Sequence, residues 1–456
     1  MKKKGTVGLF LTVVFIFFGL VLTSNQKNRI LAEYISQPNL SKSVLKDLPV
    51  AEDNRRVDLK VPTFSNPTNI NNVLFPVKMS QVLLAGHIDG RALQVTYSLL
   101  PGTRKIKWNG KEIETVIIQY NAFLDRRIIE SATDWYAQSD DGAVWYFGED
   151  VFNYIDGQVD NTSGTWLAER DGPAALIMPA NPQVGNVFRV ENIPGKAFEE
   201  ITVKKINATI DGAFGPIKGA MIVDQLHMDG THSDKVFVPG IGEYVTATSS
   251  DLEVVALALP ANALSGPVPK ELSIISRGAL AIYESAGNGK WESAIKKLEE
   301  INNNWNTLKT KGIVSKQLAA QMERDLVKLK GDALAPAVLN KDRAGTRQYT
   351  LNVGLTALDM ELQYLTRNAV DVNRFRLWTM KAIVDAEAQE QGLLLSDVIA
   401  LEMVEQRLLS SPNKKGVASL SLLTKKLRSD AANENFDQVL KTADQILNSL
   451  DKIFKN

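Results

Sequence analysis

The sequence predicts a multidomain α+β protein: an N-terminal membrane or signal helix, an antiparallel β-rich domain (a curved sheet or half-barrel), and a C-terminal all-α helical bundle. Three observations predict it. Lys2, Lys3 and Lys4 precede an uncharged, mostly apolar run from Val7 to Leu22. Between about Val73 and Leu259, short β-branched and aromatic runs alternate with Asn-Gly and Asp-Gly dipeptides. From about Lys270 onward, glycine and proline thin out and apolar residues recur in steps of three and four.

The chain of 456 residues is too long for one compact core and points to about two or three domains. An apolar fraction of 44% and a charged fraction of 23% are those of an ordinary folded chain. The formal net charge is zero, which argues against nucleic acid as the main partner, because phosphate binding leaves a clearly basic domain or stripe. The absence of cysteine excludes disulfides, thiol catalysis, cysteine zinc sites and a lipid anchor on an N-terminal cysteine. The three histidines, His87, His227 and His232, offer little for a histidine-rich metal site or a Ser-His-Asp enzyme.

At the N-terminus, residues 1–24 read as an export signal. An apolar helix of this length spans about 25 Å, slightly short of a hydrocarbon core of about 30 Å, so a cleaved signal peptide and a retained membrane anchor both fit. Basic residues before the run place the rest of the chain on the outer side. Residues 25–72 mix charge with turn formers, as in Gln37-Pro38-Asn39 and Pro62 to Pro67, and read as an extracytoplasmic tether with one short helix around Asn28 to Ile35.

Residues 73–259 form the β-rich domain. Asn109-Gly110 divides Arg104 to Trp108 from Glu114 to Tyr120, Asp141-Gly142 divides Asp134 to Gln138 from Ala143 to Phe147, and Asp156-Gly157 supplies another turn. These dipeptides tolerate the positive φ angles of tight hairpins. Later strands are expected at Gly219 to Leu226, Asp234 to Val238 and Leu252 to Leu259. Asp134, Glu149 and Asp150 lie at the outer ends of the hairpin centred on Asp141-Gly142, while Trp135, Tyr136, Trp145 and Tyr146 lie between them. Together they form the candidate ligand site: oxygen ligands on such a rim suit calcium, and the aromatic faces suit a sugar ring or another flat ligand. The ordinary reading of the same residues is core aromatics with acids capping turns. His87 near Asp89, and His227 near Asp224 and Asp229, read as ordinary hydrogen-bonded residues.

The segment from Thr133-Asp134-Trp135-Tyr136-Ala137-Gln138 through Asp141-Gly142-Ala143-Val144-Trp145-Tyr146-Phe147-Gly148-Glu149-Asp150 resembles a signature of uncharacterised bacterial exported proteins. Gly164-Thr165-Trp166, Gly172-Pro173-Ala174, Met178 to Pro182, Val184-Gly185 and Val238 to Gly242 follow in that family's order. The resemblance implies an exported β-domain and carries no reaction.

Residues 260–270, rich in proline and alanine, read as a linker to the helical bundle at 271–456. Leu355, Leu358, Leu362, Leu365, Ala369 and Val372 make one buried stripe. Leu355 to Gln391 lacks Gly and Pro and would run about 55 Å as a single helix, so a break is expected near Asn368 to Asp371, with Asp371 capping a second helix. Trp291, Ile295, Ile301 and Trp305 recur at constant offset as Phe436, Leu440, Ile446 and Leu450, which suggests two equivalent helices. Leu362-Gln363-Tyr364, Asp371, Arg374, Trp378, Asp385-Ala386, Asp397, Leu401-Glu402 and Arg407 resemble a helical domain that recurs in bacterial exported proteins. Met360, Trp378 and Met380 read as core.

No phosphate-binding glycine loop, His-Glu-x-x-His or nucleophile elbow is present. The favoured function is a non-catalytic binding or interaction protein of the cell envelope, either membrane-anchored or secreted. Its partners would be the membrane, if the N-terminal segment is retained, and an envelope protein or small ligand; no cofactor beyond calcium comes into question. The alternative is an extracellular hydrolase using the Asp134, Glu149 and Asp150 region.

Overall fold

The computed structural model describes residues 48–77, 81–88, 90–248, 253–256, 266–334, 342–409, 411 and 414–454. The expected N-terminal segment at 1–24, the short helix around Asn28 to Ile35, Asp89 and the linker at 260–265 lie outside these residues. Among the described residues, no helix is long and apolar enough to cross a membrane.

The β-domain is one curved antiparallel sheet whose strands follow the turn signals. They are β1 (Gln81–Ile88), β2 (Arg91–Trp108), β3 (Lys111–Leu124), β4 (Arg127–Gln138), β5 (Val144–Ile155), β6 (Gln158–Asn161), β7 (Trp166–Leu167), β8 (Ala175–Met178), β9 (Val187–Ile193), β10 (Ala197–Gly212), β11 (Gly215–His227), β12 (His232–Val238), β13 (Gly242–Thr248) and β14 (Glu253–Ala256). Asn109-Gly110, at φ 49° and 72°, turns β2 into β3, and Asp156-Gly157, at 48° and 70°, turns β5 into β6. Both are the left-handed pairs that a two-residue hairpin needs. Asp125-Arg126 makes the same kind of turn between β3 and β4 without glycine, at φ 47° and 66°. Side-chain bonds hold it: Arg91 Nε and the Ala92 amide donate to the Asp125 carboxylate at 2.8 and 3.1 Å.

Hydrogen-bonded neighbours run β6-β5-β4-β3-β2-β1-β14-β13-β12-β11-β10-β9. The ends of this path meet at β8, which pairs with β5 and lies against β9. The curvature therefore encloses an interior, and alternate residues divide between it and the outer face.

The stretch expected to be a free tether up to residue 72 is, from residue 48, laid along this sheet. The Val57 amide donates to Val187 O at 2.9 Å, the Ala51 amide to Glu200 at 2.7 Å, and the Asn72 side chain to Gly142 O and Pro179 O at 3.0 and 3.1 Å. Ile70 and Leu74 are buried. Scattered Pro and Asn turn signals had masked these few apolar anchors.

The helices are α1 (Lys270–Gly287), α2 (Trp291–Thr310), α3 (Lys316–Val327) with a π-helical continuation Lys328–Leu334, α4 (Arg343–Glu361), α5 (Arg367–Glu387), α6 (Gln391–Leu408), α7 (Lys414–Ala432) and α8 (Phe436–Ile453). The two echoing segments are α2 and α8, each buried along one stripe: Ala294, Leu298, Ile301, Trp305 and Leu308 in one, Val439, Ala443, Ile446 and Leu450 in the other. The expected break in the long helical stretch is real but sits at 362–366, between α4 and α5. Thr366, not Asp371, is the cap, accepting from the Ala369 amide at 3.3 Å. Asp371 is instead buried one turn inside α5, because three arginines surround it.

The bundle covers the outer face of β1 to β4. Leu83, Ala85 and Phe123 join its core, and Phe123 stacks on Trp378 with centroids 5.9 Å apart. A buried ionic seam accompanies this contact. Arg127 binds Asp397 at 2.8 Å and Asp385 at 3.2 Å, Arg374 binds Asp359 at 2.8 Å and Gln81 at 2.5 Å, and Arg407 binds Asp371 at 2.8 Å and Gln119 at 2.9 Å. Met360 and Met380 are buried among the helices.

Candidate ligand-binding site

With the outer face under helices, the inner face of the sheet surrounds a cavity of about 330 Å³. On β2 and β3, Tyr97 and Tyr120 are direct cross-strand partners whose rings meet edge to face at 5.2 Å. Their neighbours Ser98 and Gln119 point the other way, toward the helices, as strand alternation requires. Asp134 on β4 is paired with Glu149 on β5, and Tyr136 with Tyr146.

In an unbroken strand Tyr146 and Glu149 would face opposite sides. Between the two pairs, however, β5 carries Phe147 and Gly148 against Trp135 alone, with Gly148 at φ 128°. This β-bulge reverses the alternation, so both side chains reach the cavity. Tyr136 and Tyr146 stack there at 4.6 Å, and Tyr136 donates to Asp134 at 3.4 Å.

Of the residues singled out in the sequence, Asp134, Tyr136, Tyr146 and Glu149 therefore line one cavity, and Trp135, Trp145 and Asp150 do not. Trp135 is buried on the opposite side of β4 under the guanidinium of Arg104, 3.9 Å from its ring centre. Trp145 packs beside Trp108, and the half-exposed Asp150 faces Arg104 at 3.9 Å. Asp134, Glu149 and Asp150 thus do not converge as calcium ligands would. Among the described residues, no three His, Asp or Glu side chains are grouped to hold a metal ion.

The far wall adds residues that the sequence reading missed. Glu191 on β9, Glu199 on β10, Gln225 on β11, Lys235 on β12 and Glu243 on β13 face the same space, as does Glu130 on β4. No local pattern marked them: Glu191 stands between Val190 and Asn192, and Lys235 between Asp234 and Val236. Sequence alone did not show that β9 to β13 curve round to face β4 and β5. His227, read beside Asp224 and Asp229, is held by Glu199 at 3.0 Å and Ser233 at 2.9 Å, while Asp224 receives His232 at 3.1 Å. His87 is exposed on β1.

Comparison with known proteins adds no relative: no family model and no curated protein matches the chain.

The cavity's electrostatics follow from crowding acids in a low-dielectric interior. Burial pushes Glu130 and Glu191 up to about 7 and Asp134 to about 8. It also drives Glu149 well above the usual carboxylate range, where repulsion from Glu191 and Asp134 adds to it. Glu199 goes the other way: burial opposes its charge, but the His227 hydrogen bond and the charges of Lys235 and His227 hold it below its ordinary value. Lys235 is likewise held above its ordinary value by Glu243 and Glu199, against the effect of burial.

Raised carboxyl values mean that the folded protein binds more protons than the unfolded chain between about pH 4 and pH 8. Stability from these groups is present at acidic pH and falls as pH rises through that window. Asp134→Asn should flatten the decline and raise stability at pH 8.5 by on the order of 1 kcal/mol. Urea unfolding of both proteins at pH 5.5 and 8.5 checks this; an unchanged pH slope would refute it.

Two side chains on this wall carry polar atoms with no hydrogen-bond partner among the described residues. Both amide atoms of Gln225, 0% exposed, are unbonded, as is Asp134 Oδ1, with Asp134 4% exposed. Buried polar atoms are normally satisfied, and these are exceptions on the cavity wall.

Proposed function

We propose that the chain is an exported, non-catalytic binding protein of the cell envelope that holds a small ligand inside its curved sheet. The single observation that carries the binding reading is the cavity inside the curved sheet, whose wall includes Gln225 and Asp134 with unbonded polar atoms. The export reading rests on Lys2 to Lys4 ahead of the apolar run Val7 to Leu22 and on the resemblance around Asp134 to Asp150.

The hydrolase reading has less support. A carboxylate pair that cleaves glycosides needs one ionised and one protonated member. Here burial drives both Asp134 and Glu149 toward the neutral form, and Asp150 faces away from the cavity.

Ala132, 4% exposed, lies on the cavity wall, so Ala132→Phe puts a ring into the space a ligand would occupy. Native mass spectrometry of protein extracted from cell envelopes should show a retained small molecule on the wild type and none on Ala132→Phe. Identical spectra without a bound species would remove the binding reading. A full-length chain recovered only from cytosol would remove the export reading.

A further inference from the structure

The chemistry of the cavity wall narrows the class of ligand. Asp134, Glu149 and Glu191 come together from β4, β5 and β9, and among the described residues none of them makes an ion pair with a cationic side chain. Glu130, Glu199 and Glu243 add further acids around the ring of strands. Among the described residues Lys235 is the one lysine or arginine lining the cavity, and its ammonium is already engaged, 3.5 Å from Glu243. His227 serves Glu199 from behind. Among the described residues the wall therefore carries more acids than bases.

A carboxyl cluster alone says little, since protonation can neutralise it. Gln225 is the independent observation: wholly buried, on the same wall, with amide oxygen and nitrogen both unbonded within the chain. Its oxygen is an acceptor without a donor, as is Asp134 Oδ1. A ligand rich in N–H donors answers both.

We propose that the cavity binds an organic cation, an amine-bearing molecule whose ammonium lies among Asp134, Glu149 and Glu191 and whose body lies against the tyrosine faces. The proposal rests on the ligand-binding reading above and specifies its substrate class. A bare metal ion is a poor match, because among the described residues no three acids group as metal ligands. An anion finds one cationic partner among the described residues of the wall, Lys235, which Glu243 already holds.

The tyrosines favour an organic body. Tyr136 and Tyr146 stack at 4.6 Å, Phe75 meets Tyr136 at 5.0 Å, and Tyr97 and Tyr120 form a second pair. Aromatic faces attract a cation through their quadrupole and pack its hydrocarbon part. The volume, about 330 Å³, suits a small molecule.

The test uses the full chain and three probes with one skeleton and different head groups: 2-phenylethylamine, 2-phenylethanol and phenylacetate, measured by titration calorimetry. Nile red, a neutral apolar dye, reports the cavity itself. The amine should bind at least about tenfold more tightly than the alcohol, and phenylacetate more weakly still. In the double variant Asp134→Asn, Glu149→Gln, which replaces both carboxyls by amides of the same size, the amine's advantage should shrink to within about threefold.

Equal or tighter binding of the alcohol or the acid overturns the cation proposal. So does failure of all three probes where Ala132→Phe still blocks Nile red, an outcome that leaves the cavity reading standing. Failure of all three with Nile red indifferent to Ala132→Phe defeats both.

Discussion

Asp371→Ala lowers the stability of the protein by about 3–5 kcal/mol, the cost of stripping one partner from a buried, multiply bonded charge network. Asp371 is 1% exposed and accepts from Arg407 at 2.8 and 3.0 Å and from Arg374 at 3.3 Å. Those contacts hold its carboxyl below the usual range even though burial opposes the charge. Without the carboxylate, Arg367, Arg374 and Arg407 face one another across the seam between α5, α6 and the sheet with one anion fewer. The loss is read from the urea midpoint at unchanged slope.

A double replacement, Asp371→Leu with Arg407→Leu, should cost less than the sum of the single changes, because it removes both charges and leaves neither stranded. A loss below about 1 kcal/mol for Asp371→Ala would show that the seam is a solvated surface contact and not a buried clamp.

Gly148→Ala is the second large effect, about 3–5 kcal/mol, from positive-φ strain combined with overpacking. A Cβ at Gly148 falls 2.3 Å from the Trp166 carbonyl oxygen and 2.8 Å from Leu167 Cα, so β7 must move off β5. The control is Gly110→Ala, at φ 72° with nothing near its Cβ, which bears only the conformational part, about 1 kcal/mol. If both variants lose the same amount, the close approach of β7 is not what fixes the bulge. The bulge also aims Glu149, so a folded Gly148→Ala protein should lose ligand retention along with stability.

The architecture was legible where local chemistry decides it. Asn109-Gly110 and Asp156-Gly157 announced their hairpins because positive φ restricts which residues fit, and the echo of Trp291, Ile295, Ile301 and Trp305 in Phe436, Leu440, Ile446 and Leu450 marked two helices, although Ile295 turns out exposed. Asp125-Arg126 was silent, because its left-handed pair is stabilised by Arg91, 34 positions away, and not by its own composition.

The site was half legible for the same reason. Asp134, Tyr136, Tyr146 and Glu149 lie in one hairpin and could be grouped from sequence. Alternation could not separate them from Trp135, Trp145 and Asp150 without the bulge at Gly148. Glu191, Gln225 and Lys235 arrive from strands that only the curvature of the sheet brings opposite.

The helical resemblance also acquires a physical meaning. Asp371, Arg374, Trp378, Asp385, Asp397 and Arg407 are all part of the seam that fastens the bundle to the sheet. They describe how the bundle is docked and say nothing of a reaction.

The strap of residues 48–77 has a mechanical consequence. If the chain is held from its N-terminal side, tension arrives at the bonds from Ala51 to Glu200 and from Val57 to Val187, on β10 and β9. Of these strands β9 lies against the short β8 join where the ends of the sheet meet, and Asn72 ties the same strap to Pro179 just beyond β8. Load entering along the strap is thus delivered beside the β8 join that closes the sheet, through a few hydrogen bonds of the strap itself.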